Sequence, residues 1–180
     1  GTLIVKTPER ALYYVMGDGE AMRYSIGVGR EGFQWSGNSR IVAKAEWPSW
    51  TPPQTMIKRE AAKGHILPPF MKGGPGNPLG ARAMYIGGTI YRVHGTNAES
   101  SIGGAVSSGC IRMMNKDVEH LYERADIGAK VIVIGPGGRQ GDVGVLGEVT
   151  FKSITGYRQF ETFVGGDLED IDSTMTNGIG

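Results

Sequence analysis

Only one cysteine, Cys110, occurs among the 180 residues. That excludes an intramolecular disulfide and any cysteine-rich metal site. No run of about 18 apolar residues is present, so no segment reads as a membrane-spanning helix. No signal peptide is visible either. Dense clusters of Lys and Arg are missing, which argues against a nucleic-acid partner. Net charge is only +1. It is unevenly spread: residues 1–134 carry an excess of Lys and Arg, and residues 135–180 an excess of Asp and Glu. A mildly basic body suits an anionic polymer such as a wall glycopeptide.

Glycine is abundant, with 30 residues alongside 9 prolines. Its usual share is about 7%. Such a chain reads as rich in turns and strands, not as a helical bundle. The length suits one domain with an extension.

Leu3–Val5 and Ala11–Val15 read as strands. Gly17-Asp18-Gly19 supplies a turn, and Met22–Val28 returns as a strand. Ile41–Ala43 reads as another short strand. Residues 47–80 differ, because Trp47-Pro48-Ser49-Trp50-Thr51-Pro52-Pro53 and Gly73-Gly74-Pro75-Gly76 exclude regular structure. The exception is a short helix expected from Ile57 to Lys63, stopped by Gly64. So long an irregular stretch suggests a lid or groove wall; the plainer alternative is a loop covering one sheet. Ala83–Ile86 and Thr89–His94 read as a hairpin. Residues 115–128 read as a helix, with Asn115 as its cap, Asp117 in its first turn, and an apolar stripe of Val118, Leu121, Tyr122 and Ala125. Val131–Ile134 reads as a buried strand. Gly135-Pro136-Gly137-Gly138 then marks a boundary, so residues 1–135 form the main domain and 136–180 a C-terminal extension.

The chemistry centres on His94-Gly95-Thr96 and Ser107-Ser108-Gly109-Cys110-Ile111-Arg112. A cysteine in a polar, glycine-flanked turn is unlike a buried structural one. A nearby imidazole activates a thiol by supplying or stabilising the thiolate. Gly109 allows backbone N–H groups to converge near Cys110, as an oxyanion hole requires. Arg112 lies two residues on, so in extended chain it faces the same way as the thiol and reaches a substrate carboxylate. The alternatives stay open at this point. A lone cysteine is also a common small core residue, and His94 also suits a strand end. A metal site of His94, Cys110 and His120 is possible in residue type, but no spacing fixes it. His65 and His120 read as surface residues. Gly27-x-Gly29 introduces no helix and is a weak dinucleotide signal.

The run His94-Gly95-Thr96-Asn97, Ser101-Ile102-Gly103, Ala105 through Met113 and Asn115-Lys116-Asp117-Val118 closely resembles the signature of the L,D-transpeptidases of the YkuD type. Trp50-Thr51-Pro52-Pro53 and Pro75-Gly76-Asn77-Pro78-Leu79-Gly80 resemble the branch typical of Gram-negative bacteria. The resemblance covers roughly residues 3–134. It implies a mainly β, sandwich-like catalytic fold with mixed sheets and few helices. It implies Cys110 as nucleophile and His94 as its base. Backbone N–H groups around Ser108, Gly109 and Cys110 would hold the oxyanion, and a carbonyl at Gly95 or Thr96 would orient the imidazole. Arg112 and Ser107 would contact the donor peptide.

The implied reaction joins diamino acids of two peptidoglycan stem peptides through a cysteine thioester, releasing D-Ala. Water as acceptor would make the protein a carboxypeptidase. Some relatives attach or detach an outer-membrane protein, and carbapenems acylate the cysteine of many. No metal or organic cofactor is implied, and the expected location is the periplasm, after export. Outside enzymes, the competing expectation is a wall-binding module. This chain departs from the pattern twice. Ser108 stands where many members have His before the Gly-Cys pair, which leaves tuning of the thiol to His94. The acidic segment 136–180 matches nothing in the family; it is expected either to restrict the groove or to serve as a strap or partner-binding segment.

Overall fold

The unbroken apolar runs Leu3–Val5 and Val131–Ile134 suit strands buried on both faces, and these two segments form the centre of the sheet. The structure is a computed structural model that describes residues 1–31, 35–136, 150–153 and 160–161. Strand β1 (Thr2–Lys6) pairs antiparallel with β2 (Ala11–Gly17), which pairs with β3 (Glu20–Ser25). The β2–β3 turn uses positive φ at Gly17, Asp18 and Gly19. The expected strand through Val28 breaks after Ser25 and resumes as the two-residue β4 (Val28–Gly29). Strand β5 (Gly37–Glu46) is much longer than the expected Ile41–Ala43.

A helix α1 (Gln54–Ala61) follows within the 47–80 segment, earlier than the expected Ile57–Lys63. It starts directly after Pro53, whose ring pre-sets a helix-compatible φ. Then come β6 (Arg82–Ile86), β7 (Arg92–His94), a 3₁₀ turn (Glu99–Ser101), β8 (Ala105–Ser107) and β9 (Ile111–Arg112). Helix α2 (Asn115–Tyr122) and β10 (Lys130–Ile134) complete the body. From the C-terminal extension, β11 (Thr150–Ser153) runs parallel to β3, and β12 (Phe160–Glu161) pairs with β11. The acidic end of that extension lies outside the described residues.

The ten-stranded mixed sheet has the order β12-β11-β3-β2-β1-β10-β5-β6-β7-β9, and β4 pairs with β8. It curls. Gly27, just beyond β3, forms a bridge with Arg112 of β9, with both N–H···O distances 2.8 Å. The curl encloses one core, which joins Leu3, Val5, Leu12 and Tyr24 from one half to Met84, Ile86, Val93 and Ile111 from the other. That is the sandwich-like arrangement the family resemblance implies. Val118, Leu121 and Ala125 enter the same core from α2 and beyond it. Each such Val or Leu contributes roughly 1.5–3 kcal/mol of burial. On the opposite face of β1, β2 and β10, Ile4, Tyr13, Ile132 and Ile134 form a second, smaller cluster.

Helix α2 is shorter than expected, ending at Tyr122, and Asn115 is its first residue, not its cap. The side chain works elsewhere. Asn115 Oδ1 accepts from the N–H groups of Ala81 and Thr96 at 3.0 and 3.2 Å, and its Nδ2 donates to the Thr96 carbonyl at 3.0 Å. It staples the end of the 47–80 segment to the chain just past His94. The approach is close enough to require two glycines. A Cβ at Gly95 would lie 2.2 Å from Asn115 Oδ1, and one at Gly80, where φ is +65°, would lie 2.3 Å from the same atom. Asp117 lies in the first turn of α2, as expected. It is buried, its Oδ2 has no hydrogen-bond partner, and burial pushes its carboxyl up to about 6 despite the neighbouring Lys116.

Two stability predictions follow from these side chains. Asn115→Ala removes three hydrogen bonds and leaves buried N–H groups unsatisfied, so urea unfolding should show a loss of about 2–4 kcal/mol; a loss under about 0.5 kcal/mol would refute the staple. Because the Asp117 pKa is raised in the folded state, its contribution is most favourable below about pH 4 and is lost as pH climbs to about 6. Asp117→Asn should therefore stabilise by about 1–3 kcal/mol at pH 7.5 and by little at pH 4, read from melting curves at both pH values.

Candidate active site

Strands β7 and β9 lie side by side in parallel, with Val93 opposite Ile111 and His94 opposite Arg112. Val93 and Ile111 point into the core. Alternation then sends their neighbours to the other face. Arg92 and His94 of β7 and Arg112 of β9 therefore lie on that outward face, and Cys110 directly precedes β9.

His94 is buried. Its Nδ1 lies 2.6 Å from the Gly95 carbonyl. A carbonyl only accepts, so Nδ1 carries the proton and Nε2 keeps its lone pair. Burial drives the imidazole pKa down to about 3, reinforced by the charges of Arg112 and Arg92 and offset in part by the backbone of Gly95 and Leu79. The ring is neutral at physiological pH. Of the two carbonyls considered from the sequence, Gly95 contacts the ring, whereas the Thr96 carbonyl accepts from Asn115.

Cys110 sits at the end of a tight turn held by Ser107. The Ser107 hydroxyl donates to the Cys110 carbonyl at 2.6 Å and accepts from the Gly109 N–H at 3.2 Å. Two expectations change as a result. Ser107 is buried and its hydroxyl is engaged inside the turn, so it shapes the turn and offers no open face to a donor peptide. The Gly109 N–H is likewise taken, whereas the Cys110 N–H has no acceptor among the described residues. Gly109 itself adopts φ +110°, which a side chain would oppose. Burial pushes the thiol pKa up; the Arg92 backbone N–H and the Arg92 and Arg112 charges pull it down. Among the described residues no hydrogen bond joins the sulfur to the His94 ring.

Ser108 meets the long loop. Arg59 on α1 donates from Nη2 to Ser108 Oγ at 3.1 Å. The 47–80 segment therefore reaches the site from two sides, at Ser108 and at Leu79–Ala81. Sequence reasoning missed Arg59, Asn115 and Arg92. For Arg92 the signal was present: the two-residue spacing that pairs Arg112 with Cys110 also pairs Arg92 with His94. His65 is exposed, but His120 is half-buried, with Nδ1 2.7 Å from the Tyr24 hydroxyl, so it is not a free surface residue. Among the described residues no group of three or more His, Cys, Asp or Glu could hold a metal ion.

Comparison with known proteins identifies the family. A family profile for the L,D-transpeptidase catalytic domain, YkuD, matches residues 1–133. The chain is 38% identical over 135 residues to the probable L,D-transpeptidase ErfK/SrfK of Escherichia coli K12, covering 73% of this chain and 43% of that protein. It is 36% identical over 135 residues to the probable L,D-transpeptidase YbiS of the same strain, with the same coverage. The chain thus spans less than half the length of these curated relatives. Among solved structures, an L,D-transpeptidase from Mycobacterium smegmatis superposes with a TM-score of 0.56 at 20% identity, covering 73% of this chain and 57% of that one. L,D-transpeptidase 3 from Mycobacterium tuberculosis, carrying a faropenem-derived adduct, does so at 0.52 and 18%, covering 73% and 59%. These two likenesses concern the fold. The profile match over most of the body, together with the curated relatives, establishes that the chain belongs to the YkuD family of L,D-transpeptidase catalytic domains.

Proposed function

We propose that this protein is a cysteine-dependent L,D-transpeptidase acting on peptidoglycan stem peptides outside the cytoplasm. The observation that carries the reading is the pairing of β7 with β9, which brings the segment holding the only thiol of the chain, Cys110, beside the strand that ends in a buried, neutral imidazole. A neutral imidazole with its Nδ1 proton fixed presents Nε2 as a base. In the first step Sγ attacks the carbonyl carbon of the donor's diamino acid and Nε2 takes the thiol proton. The C–N bond breaks, that proton passes to the amine of the departing D-Ala, and a thioester remains. The unengaged Cys110 N–H is available as a donor to the oxyanion. The side-chain amine of a second stem then attacks the thioester, and its proton returns through His94 to the sulfur. Arg112 supplies a cation for the donor's carboxylate. A faropenem-derived adduct on one structural relative and imipenem bound to another make a β-lactam such as imipenem a suitable acylating probe here.

Intact-mass measurement after incubation with imipenem should show one adduct per chain on the wild type and none on Cys110→Ala. No adduct on folded wild-type protein would overturn the reading. The pH dependence tests the base. Because the His94 pKa is depressed, the neutral ring is present everywhere above about pH 3, while the thiol pKa is raised. The acylation rate should therefore be level from pH 5 to 8. A limb centred near 6.5 would show that His94 titrates as an exposed histidine, and a steady tenfold rise per pH unit would show attack by free thiolate without the base.

A further inference from the structure

Helix α1 bonds to the cysteine turn through one side chain. The helix buries none of its residues. Apart from Arg59, none of its side chains forms a hydrogen bond or ion pair beyond residues 54–65 among the described residues. Arg59 reaches out of the segment. Its Nε donates to Glu60 Oε1 at 3.3 Å, and its Nη2 donates to Ser108 Oγ at 3.1 Å. Glu60 is itself held by Lys63 and His65, at 3.2 and 3.4 Å. The guanidinium is thus steadied by a carboxylate at one end, while its other end grips a hydroxyl two residues before the nucleophile. A single part-exposed hydrogen bond of this kind adds little to folding.

The grip falls where the turn has no other side-chain restraint. The Ser107 hydroxyl fixes the Gly109 N–H and the Cys110 carbonyl, at 3.2 and 2.6 Å. Ser108 lies between them, half-buried, and Arg59 holds its hydroxyl. Gly109, at φ +110°, has no side chain to limit rotation of the peptide next to it. A Ser108 free to swing would turn that peptide and carry the Cys110 N–H and Sγ with it. Resting on the transpeptidase reading above, we infer that Arg59 is a positioning residue for acyl transfer: its bond to Ser108 locks the Ser107–Cys110 turn so that Sγ and the Cys110 N–H meet the donor carbonyl together. Arg59 takes no proton and touches no reacting atom. The charges that act on the thiol are those of Arg92 and Arg112, so Arg59 works by holding the turn and not by its field. A displacement of about 1 Å at a reacting group costs about a hundredfold in rate. A bond too weak to matter for folding therefore still matters for turnover.

The test follows imipenem acylation of the full chain by intact mass over time. Each variant then yields a maximal acylation rate and a half-saturating concentration. Arg59→Ala and Ser108→Ala should each lower the maximal rate by about five- to fiftyfold, inside the range for a misplaced nucleophile. Half-saturation should change by less than about threefold. The double variant should be no slower than the slower single one, because both substitutions remove the same bond. Arg59→Lys keeps a donor on a long stem and should recover part of the rate. Melting temperatures should stay within about 3 °C of the wild type, since α1 buries no residue; Ser108→Ala and Arg59→Lys carry the test if Arg59→Ala does not fold. An unchanged maximal rate in the folded single variants, losses that multiply in the double variant, or an effect confined to half-saturation overturns the assignment while leaving the function standing. Absence of any adduct on the wild type overturns the function and the assignment with it.

Discussion

In a sheet, shifting a strand by one residue exchanges every inward side chain for an outward one. The short parallel contact between β7 and β9 is therefore the constraint on which the site depends. Val93 and Ile111 hold the register by filling the core, and the Met113 N–H, bonded to the His94 carbonyl at 2.8 Å, extends it. Given that register, Arg92, His94 and Arg112 have no choice of face. The Gly27–Arg112 bridge then ties this edge back across the curl, so the site stands on a closed framework and not on a free sheet edge. Rigid elements with packed supports position reacting groups better than loops do.

Burial tunes this framework in opposite directions. It lowers the imidazole pKa, so the ring is neutral, and raises the thiol pKa, so the sulfur is protonated; burial keeps both partners uncharged and by itself opposes proton transfer between them. It also leaves two guanidiniums and the Asp117 carboxylate without full partners. The difference lies in where they sit. Asp117 is at the start of a helix inside the core, where its charge is a structural burden. The guanidinium charges act on the thiol and the imidazole, where an incoming anion would relieve them.

How much of this was legible beforehand varies with distance along the chain. The strands at Leu3–Val5, Ala11–Val15 and Val131–Ile134 are readable because a continuous apolar run is a local signal. The length of β5 was not, since exposed Val42 and Ala43 and polar neighbours give it no clear pattern; its partners β10 and β6 make it a strand. Asn115 was misread as a helix cap because capping is the local use of asparagine, whereas its real partners, Ala81 and Thr96, lie 34 and 19 residues away. Ser107 was placed on the substrate because polar residues near a nucleophile often face it. The turn geometry at Gly109 directs it inward instead.

The sequence by itself determined the chemical type: one thiol, a histidine-glycine pair, and an arginine two residues beyond the cysteine, at a spacing that resembles one family. It also determined the β-rich class, through glycine, proline and alternating apolar runs. Only the tertiary structure decided which N–H near the thiol is open, which carbonyl holds the imidazole, and that Arg92 stands beside Cys110. Each of these depends on a pairing between segments many residues apart. Residue type and spacing describe what a side chain can do; the neighbours brought by the curl of the sheet decide which of those options remain unoccupied.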